Sequence, residues 1–96
     1  MDVVSFEWDP DKDSENISRH GVSFVEAQRA FADERRVIVE DSLHSAEEPR
    51  YHCIGRVDAG ILTVIFTFRS GVIRVISAGF WRKGRVRYER ENSLHR

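Results

Sequence analysis

The stretch Ile61-Leu62-Thr63-Val64-Ile65-Phe66-Thr67-Phe68 constrains the fold more than any other part of the chain. It is rich in β-branched and aromatic residues, apolar on both faces, and bounded by the turn-forming Asp58-Ala59-Gly60 and Ser70-Gly71. A strand that is apolar on both faces has to be covered on both, which predicts a central place in a sheet. The turn signals at each end predict hairpins, so Arg50 to Val57 and Val72 to Ala78 become its antiparallel neighbours, and Arg36 to Asp41 supplies a further strand.

The amino-terminal part reads differently. Ser5 to Trp8 is a short strand, followed by Asp9 as a helix cap and Pro10 at the first helical position, where a missing amide hydrogen costs nothing. Asp11 and Asp13 suit the positive end of the helix dipole, and Gly21 after His20 suits the left-handed residue that ends a helix. Ser23 with Glu26 forms a capping box, with Val22 placed to staple onto Ala27. Phe24, Ala27, Ala30 and Phe31 then give the second helix one apolar stripe. A last helix is predicted from Arg82 to Asn92, although Gly84 weakens its first turns by roughly 1 kcal/mol relative to alanine. The order is strand, two helices, a four-stranded antiparallel meander and a carboxyl-terminal helix. This predicts an α+β fold in which helices cover a twisted antiparallel sheet, with residues 1–96 as one domain.

Cys53 is the only cysteine, so no intramolecular disulfide can form, and its place in a strand predicts a buried thiol in a reducing, cytoplasmic setting. Neither a membrane-spanning run nor an export signal is expected. The net charge of −1 conceals a polarity. Met1 to Pro49 carries 5 basic and 13 acidic residues, whereas Arg69 to Arg96 carries 8 basic and 2 acidic. A local basic field attracts polyanions even where a separate acidic surface cancels it in the total.

Phe6-Glu7-Trp8-Asp9, Asn16, His20-Gly21-Val22-Ser23-Phe24, Ala27 and Phe31 resemble the opening of the BrnT-type toxin family. The similarity continues in order through Asp41, His44-Ser45, Glu48, Arg50, Ile54-Gly55, Arg74 and Ile76-Ser77-Ala78. The resemblance implies a RelE-like fold and a metal-independent endoribonuclease that needs no cofactor and inhibits translation by cutting RNA. It also implies neutralisation by a cognate BrnA-like antitoxin whose DNA-binding segment carries the pair to operator DNA. Two positions depart from the family pattern: Gly79 stands where an arginine is usual, and Pro49 where a second glutamate is common. Loss of that arginine keeps open a rival reading, a catalytically weak or inactive domain of the same fold that binds antitoxin or RNA.

Cleavage through the 2′-hydroxyl needs a proton acceptor, cations for the charge growing on phosphorus, and an acid for the leaving oxygen. Arg74, which interrupts an apolar strand, and Arg50, which opens another, are the candidate phosphate ligands. The bland readings are a guanidinium on an edge strand reaching water for Arg74, and a salt bridge to Glu47 or Glu48 for Arg50. Glu48 and His44, in a polar loop, are the candidate proton handlers. His52 alternates with Cys53, so one of the two faces the core, and His20 reads as a helix-end residue. Trp81 with Arg82, Lys83 and Arg85 has the aromatic-plus-cation character of a single-strand RNA grip, against the alternative that Trp81 and Phe80 anchor the last helix. No residue pattern has convincing metal-ligand spacing.

Overall fold

A computed structural model describes residues 4–93 and places the apolar stretch where its composition requires, in the middle of a five-stranded sheet. In chain order the elements are β1 (Phe6–Glu7), α1 (Pro10–His20), α2 (Phe24–Ala27), β2 (Val37–Glu40), β3 (Tyr51–Val57), β4 (Gly60–Arg69), β5 (Val72–Gly79) and α3 (Arg82–Glu91). The second helix is a single α-turn that tightens into 3₁₀ geometry over Gln28–Ala32, shorter than its apolar stripe suggests.

The strand order is β1-β5-β4-β3-β2. Strands β2 to β5 are antiparallel neighbours, but β1 pairs in parallel with β5, setting Phe6 beside Ile73 and Glu7 beside Arg74. The sheet is therefore mixed, not purely antiparallel. The reason lies in the connection: α1 and α2 carry the chain across one face after β1, and such a crossover is what a parallel pair requires.

One face of the sheet is closed by α1, α2 and the 3₁₀ turn. Val22, Phe24, Ala27 and Ala30 pack there on Cys53, Leu62, Val64, Phe66, Val75 and Ala78, all essentially without solvent exposure. Burial pushes the Cys53 thiol up to about 12, so it is an inert core residue. Gly55 allows the close approach, since a Cβ there would stand 2.2 Å from the Ala30 carbonyl oxygen. The predicted caps form: Asp9 accepts from the Asp11 amide at 2.9 Å, Ser23 from the Glu26 amide at 3.0 Å, and Gly21 takes φ of 69°. Asp13 reaches beyond its own helix to accept from the Phe24 amide at 2.8 Å.

Helix α3 covers only part of the opposite face. Tyr88 is buried against Ile54 and Ile61, and its hydroxyl donates to Asp33 at 2.6 Å. Asp33 also accepts from the Arg56 and Arg35 amides; burial opposes its ionisation, but these hydrogen bonds outweigh it and hold the carboxyl below its ordinary range. Gly84 is explained here: a Cβ would fall 1.9 Å from Thr63 Oγ1, so the residue that weakens the isolated helix is the one that lets it lie on β4. The rest of this face stays open.

Candidate functional site

Strand parity decides what lies on the open face. With Cys53, Leu62, Val64 and Phe66 turned into the core, His52 and Ile54 of β3 and Thr63 and Ile65 of β4 face the other way. In β5 the alternation is broken by a bulge: Ile65 pairs with Ser77 but Phe66 with Val75, leaving Ile76 as an extra residue. Both Ala78 and Val75 can thereby enter the core while Arg74 stays on the open face.

Two rows of side chains result. In the first, Glu7 lies beside Arg74 and Arg74 beside Thr67. Arg50 immediately precedes the Tyr51–Phe66 pair and so continues this row past Thr67. In the second row Val39, His52 and Ile65 are neighbours across β2, β3 and β4. The rows are two residues apart, about 6.8 Å at strand rise. Beyond the second row, Val39, Ile54 and Ile65 floor a groove of about 330 Å³ that His52, Trp81, Lys83 and Arg87 border.

Arg74 differs from the edge-strand guanidinium expected as its bland alternative. β1 covers the edge of β5, the side chain is only 26% exposed, and its Nη1 donates to Glu7 at 3.0 Å. Arg50 makes no salt bridge to Glu48; the partner of Glu48 is Arg69, at 3.1 Å. That hydrogen bond lowers the Glu48 pKa first, and against a smaller opposing effect of burial the charges of Arg69, Arg50 and Arg74 lower it further. Three guanidinium groups thus act on one carboxylate. Arg69 escaped the sequence reading because it stands at a strand end next to a turn, where an arginine carries no pattern.

The segment from Asp41 to Arg50 is tied to itself. The Asp41 amide donates to the Arg50 carbonyl at 2.8 Å, Ser45 Oγ donates to the Asp41 carbonyl at 2.5 Å, and the Arg50 amide donates to Ser45 Oγ at 2.9 Å. Thr67 Oγ1 donates to the Pro49 carbonyl at 2.5 Å and pins the far end to β4. Within this frame the Asp41 carboxylate meets two imidazoles, His44 Nδ1 and His52 Nε2, each 3.0 Å from Oδ2. Burial works against its charge, but the two imidazole hydrogen bonds prevail and its pKa is lowered. Of the sequence candidates His44 is therefore anchored, and Asp41 and His52 join it. The parity of His52 against a buried Cys53 is the signal that placed it.

Among the RNA-grip candidates, Trp81 and Lys83 border the groove, with Arg87 beside them. Arg82 lies on the outer surface of α3 with Arg90, and Arg85 lies near the β3–β4 turn within 3.8 Å of Glu89. Phe80, expected to anchor the helix, is 41% exposed over Gly60. The Trp81 indole meets His20 edge to face at 5.3 Å and covers Gly79 so closely that a Cβ there would stand 2.4 Å from the ring. Gly79 and Trp81 are consequently a matched pair. Gly79→Ala should lower stability by about 1 to 3 kcal/mol through overpacking, and adding Trp81→Ala should remove most of that penalty. A double-mutant cycle in urea checks this, and additive effects would mean the two do not share the space.

The open sheet face of this α+β fold thus presents guanidinium groups, and beside them one carboxylate anchors two imidazoles, His52 on the sheet and His44 on the loop. The sequence model of the ribonuclease toxin BrnT of type II toxin-antitoxin systems matches residues 8–84, and the chain belongs to that family. A search of curated proteins finds no match. Type II membership implies an antitoxin partner. No helix among the described residues is long and apolar enough to cross a membrane.

Proposed function

We propose that the protein is a metal-independent endoribonuclease toxin that cuts RNA through the 2′-hydroxyl, inhibits translation and is neutralised by a BrnA-like antitoxin carrying a DNA-binding segment. The observation that carries this reading is the row Arg74, Thr67 and Arg50 on the open sheet face, bounded across the groove by Lys83 and Arg87. Arg74 and Arg50 hold the scissile phosphate and offset the charge that grows on its oxygens. Arg50 suits this best, since it acts on Glu48 through its charge while Arg69 takes the hydrogen bond to that carboxylate. Lys83 with its neighbours steers the strand and Trp81 offers a stacking surface, while Arg82 and Arg85 add to the field at longer range.

Proton transfer falls to the imidazole side, with His44 held by Asp41. Glu48, paired with Arg69 and lowered in pKa, is a weak acceptor and serves to order the guanidinium groups. The layout of sheet, amino-terminal helices and terminal helix is consistent with a RelE-like relationship.

The Gly79–Trp81 pairing favours a second reading, a binding module without turnover, because an indole fills the space above a position where the family carries an arginine. One experiment separates the two. Purified protein in EDTA should convert RNA to fragments with cyclic phosphate and 5′-hydroxyl ends. Folded protein that binds RNA and leaves it intact would establish the module instead.

A further inference from the structure

We propose that His52 and His44 form a base and acid pair for RNA cleavage and that Asp41 is their shared positioning residue. The inference rests on the ribonuclease reading above and deepens it. Its ground is geometric: His44 Nδ1 and His52 Nε2 both stand 3.0 Å from one oxygen of Asp41, whose side chain is only 10% exposed.

A carboxylate can only accept, so it selects the ring tautomers. Neutral His52 carries its proton on Nε2 and leaves Nδ1 as the basic nitrogen, whereas His44 carries its proton on Nδ1 and presents Nε2 outward. The carboxylate itself cannot drift, because its other oxygen accepts the Leu43 amide at 3.2 Å and its backbone is bonded at both the amide and the carbonyl.

Their surroundings assign the roles. His52 sits on the sheet two residues after Arg50 and on the same face, about 6.8 Å along the strand, and it borders the groove that Lys83 and Arg87 face from α3. It is 30% exposed, against 66% for His44 on its loop. A nucleotide whose phosphate rests on Arg50 and Arg74 therefore brings its 2′-hydroxyl to His52 and directs its leaving side towards the loop. His52 takes the 2′-hydroxyl proton as that oxygen bonds to phosphorus. The bond from phosphorus to the 5′-oxygen breaks, and protonated His44 delivers its Nε2 proton to that oxygen. The products are a cyclic phosphate and a 5′-hydroxyl. One ring has gained a proton and the other has lost one, and exchange with water restores both.

The test compares RNA with a nucleotide 3′-phosphodiester whose leaving group is p-nitrophenolate, which departs without a proton. On RNA, His52→Ala and His44→Ala should each lower kcat by roughly 10²-fold to 10⁴-fold. On the nitrophenyl ester, His44→Ala should recover activity to within about tenfold of the parent protein, while His52→Ala stays as impaired as on RNA. Asp41→Asn keeps an acceptor for the Leu43 amide but loses the anion; it should lower kcat on RNA by about tenfold to 10²-fold with KM little changed. Ring-nitrogen NMR provides a readout independent of turnover: the Nε2–H form of His52 and the Nδ1–H form of His44 should dominate in the parent protein and become mixed in Asp41→Asn. Either histidine variant cutting RNA at the parent rate, or rescue of His52→Ala in place of His44→Ala, overturns the proposal while leaving the ribonuclease reading intact. A parent protein inactive on both substrates overturns that reading, and the expected tautomers would then mark the pair as a structural anchor.

Discussion

Arg74→Ala should lower RNA cleavage by about 10²-fold to 10³-fold, the usual cost of losing one group that stabilises developing charge. The structure sharpens what else must be measured. Because Arg74 is largely covered and bonded to Glu7, its removal also leaves that carboxylate without its partner, so some stability should be lost as well. Glu7 is 41% exposed and its charge stays hydrated, which limits that loss to about 1 kcal/mol or less. Glu7→Gln separates the two contributions. It breaks the ion pair but keeps the guanidinium in its row, so it should reproduce the stability change and cost less than tenfold in kcat/KM. Steady-state kinetics beside urea denaturation decides the matter. Equal kinetic losses in the two variants would mean that Arg74 matters for holding β1 to β5, and the phosphate would have to be placed elsewhere.

The pairing of Glu7 with Arg74 also shows where sequence reasoning stops. Strand β4, the caps at Asp9, Ser23 and Gly21, and the burial of Cys53 were legible because each depends on residues close in the chain or on one strand's own periodicity. The parallel contact of β1 with β5 joins residues 7 and 74, and nothing local in either segment announces it. The bulge at Ile76 was equally hidden, since Val72 to Ala78 reads as plain apolar strand and only the register with β4 reveals the extra residue.

The candidate site divides along the same line. Arg50, Arg74 and His44 stood out by residue type, and the structure places the two arginines in one row and His44 on the bonded loop beside it. Their partners did not stand out. Asp41 is one of many acidic residues in the amino-terminal half, and only a folded loop closed by its bond to the Arg50 carbonyl turns it towards two imidazoles. Glu48 had an obvious neighbour in Arg50 two residues away, yet it pairs with Arg69 across the sheet. Glu48 lies in the loop before β3, where strand alternation does not set its direction, and the folded loop turns it to Arg69 at the end of β4.

Asn16 offers the strongest test of how the site is held in place. Its buried amide group donates to the carbonyls of Val22 and Ala78, both at 2.9 Å, and its oxygen accepts from the Ala78 amide at 3.1 Å and the Ser77 hydroxyl at 3.2 Å. Every hydrogen-bonding position of the side chain is used, with donors and acceptors on opposite ends, so the near-isosteric carboxylate cannot replace it. Asn16→Asp would leave two buried carbonyls without donors and face one of them with negative charge. At about 1 to 3 kcal/mol for each orphaned acceptor, the expected loss is about 2 to 6 kcal/mol, a large part of the stability of a domain this size. Urea unfolding should show a lower midpoint with an unchanged slope. The functional consequence follows from position, because Ala78 precedes the glycine beneath Trp81 and the start of α3 lies three residues further on. Below its melting temperature the variant should keep Arg74 and His52 on the sheet but hold α3 less firmly. RNA affinity should then weaken more than the rate of the chemical step, whereas an Asn16→Asp protein as stable as its parent would show that α1 and β5 are held together by their apolar contacts alone.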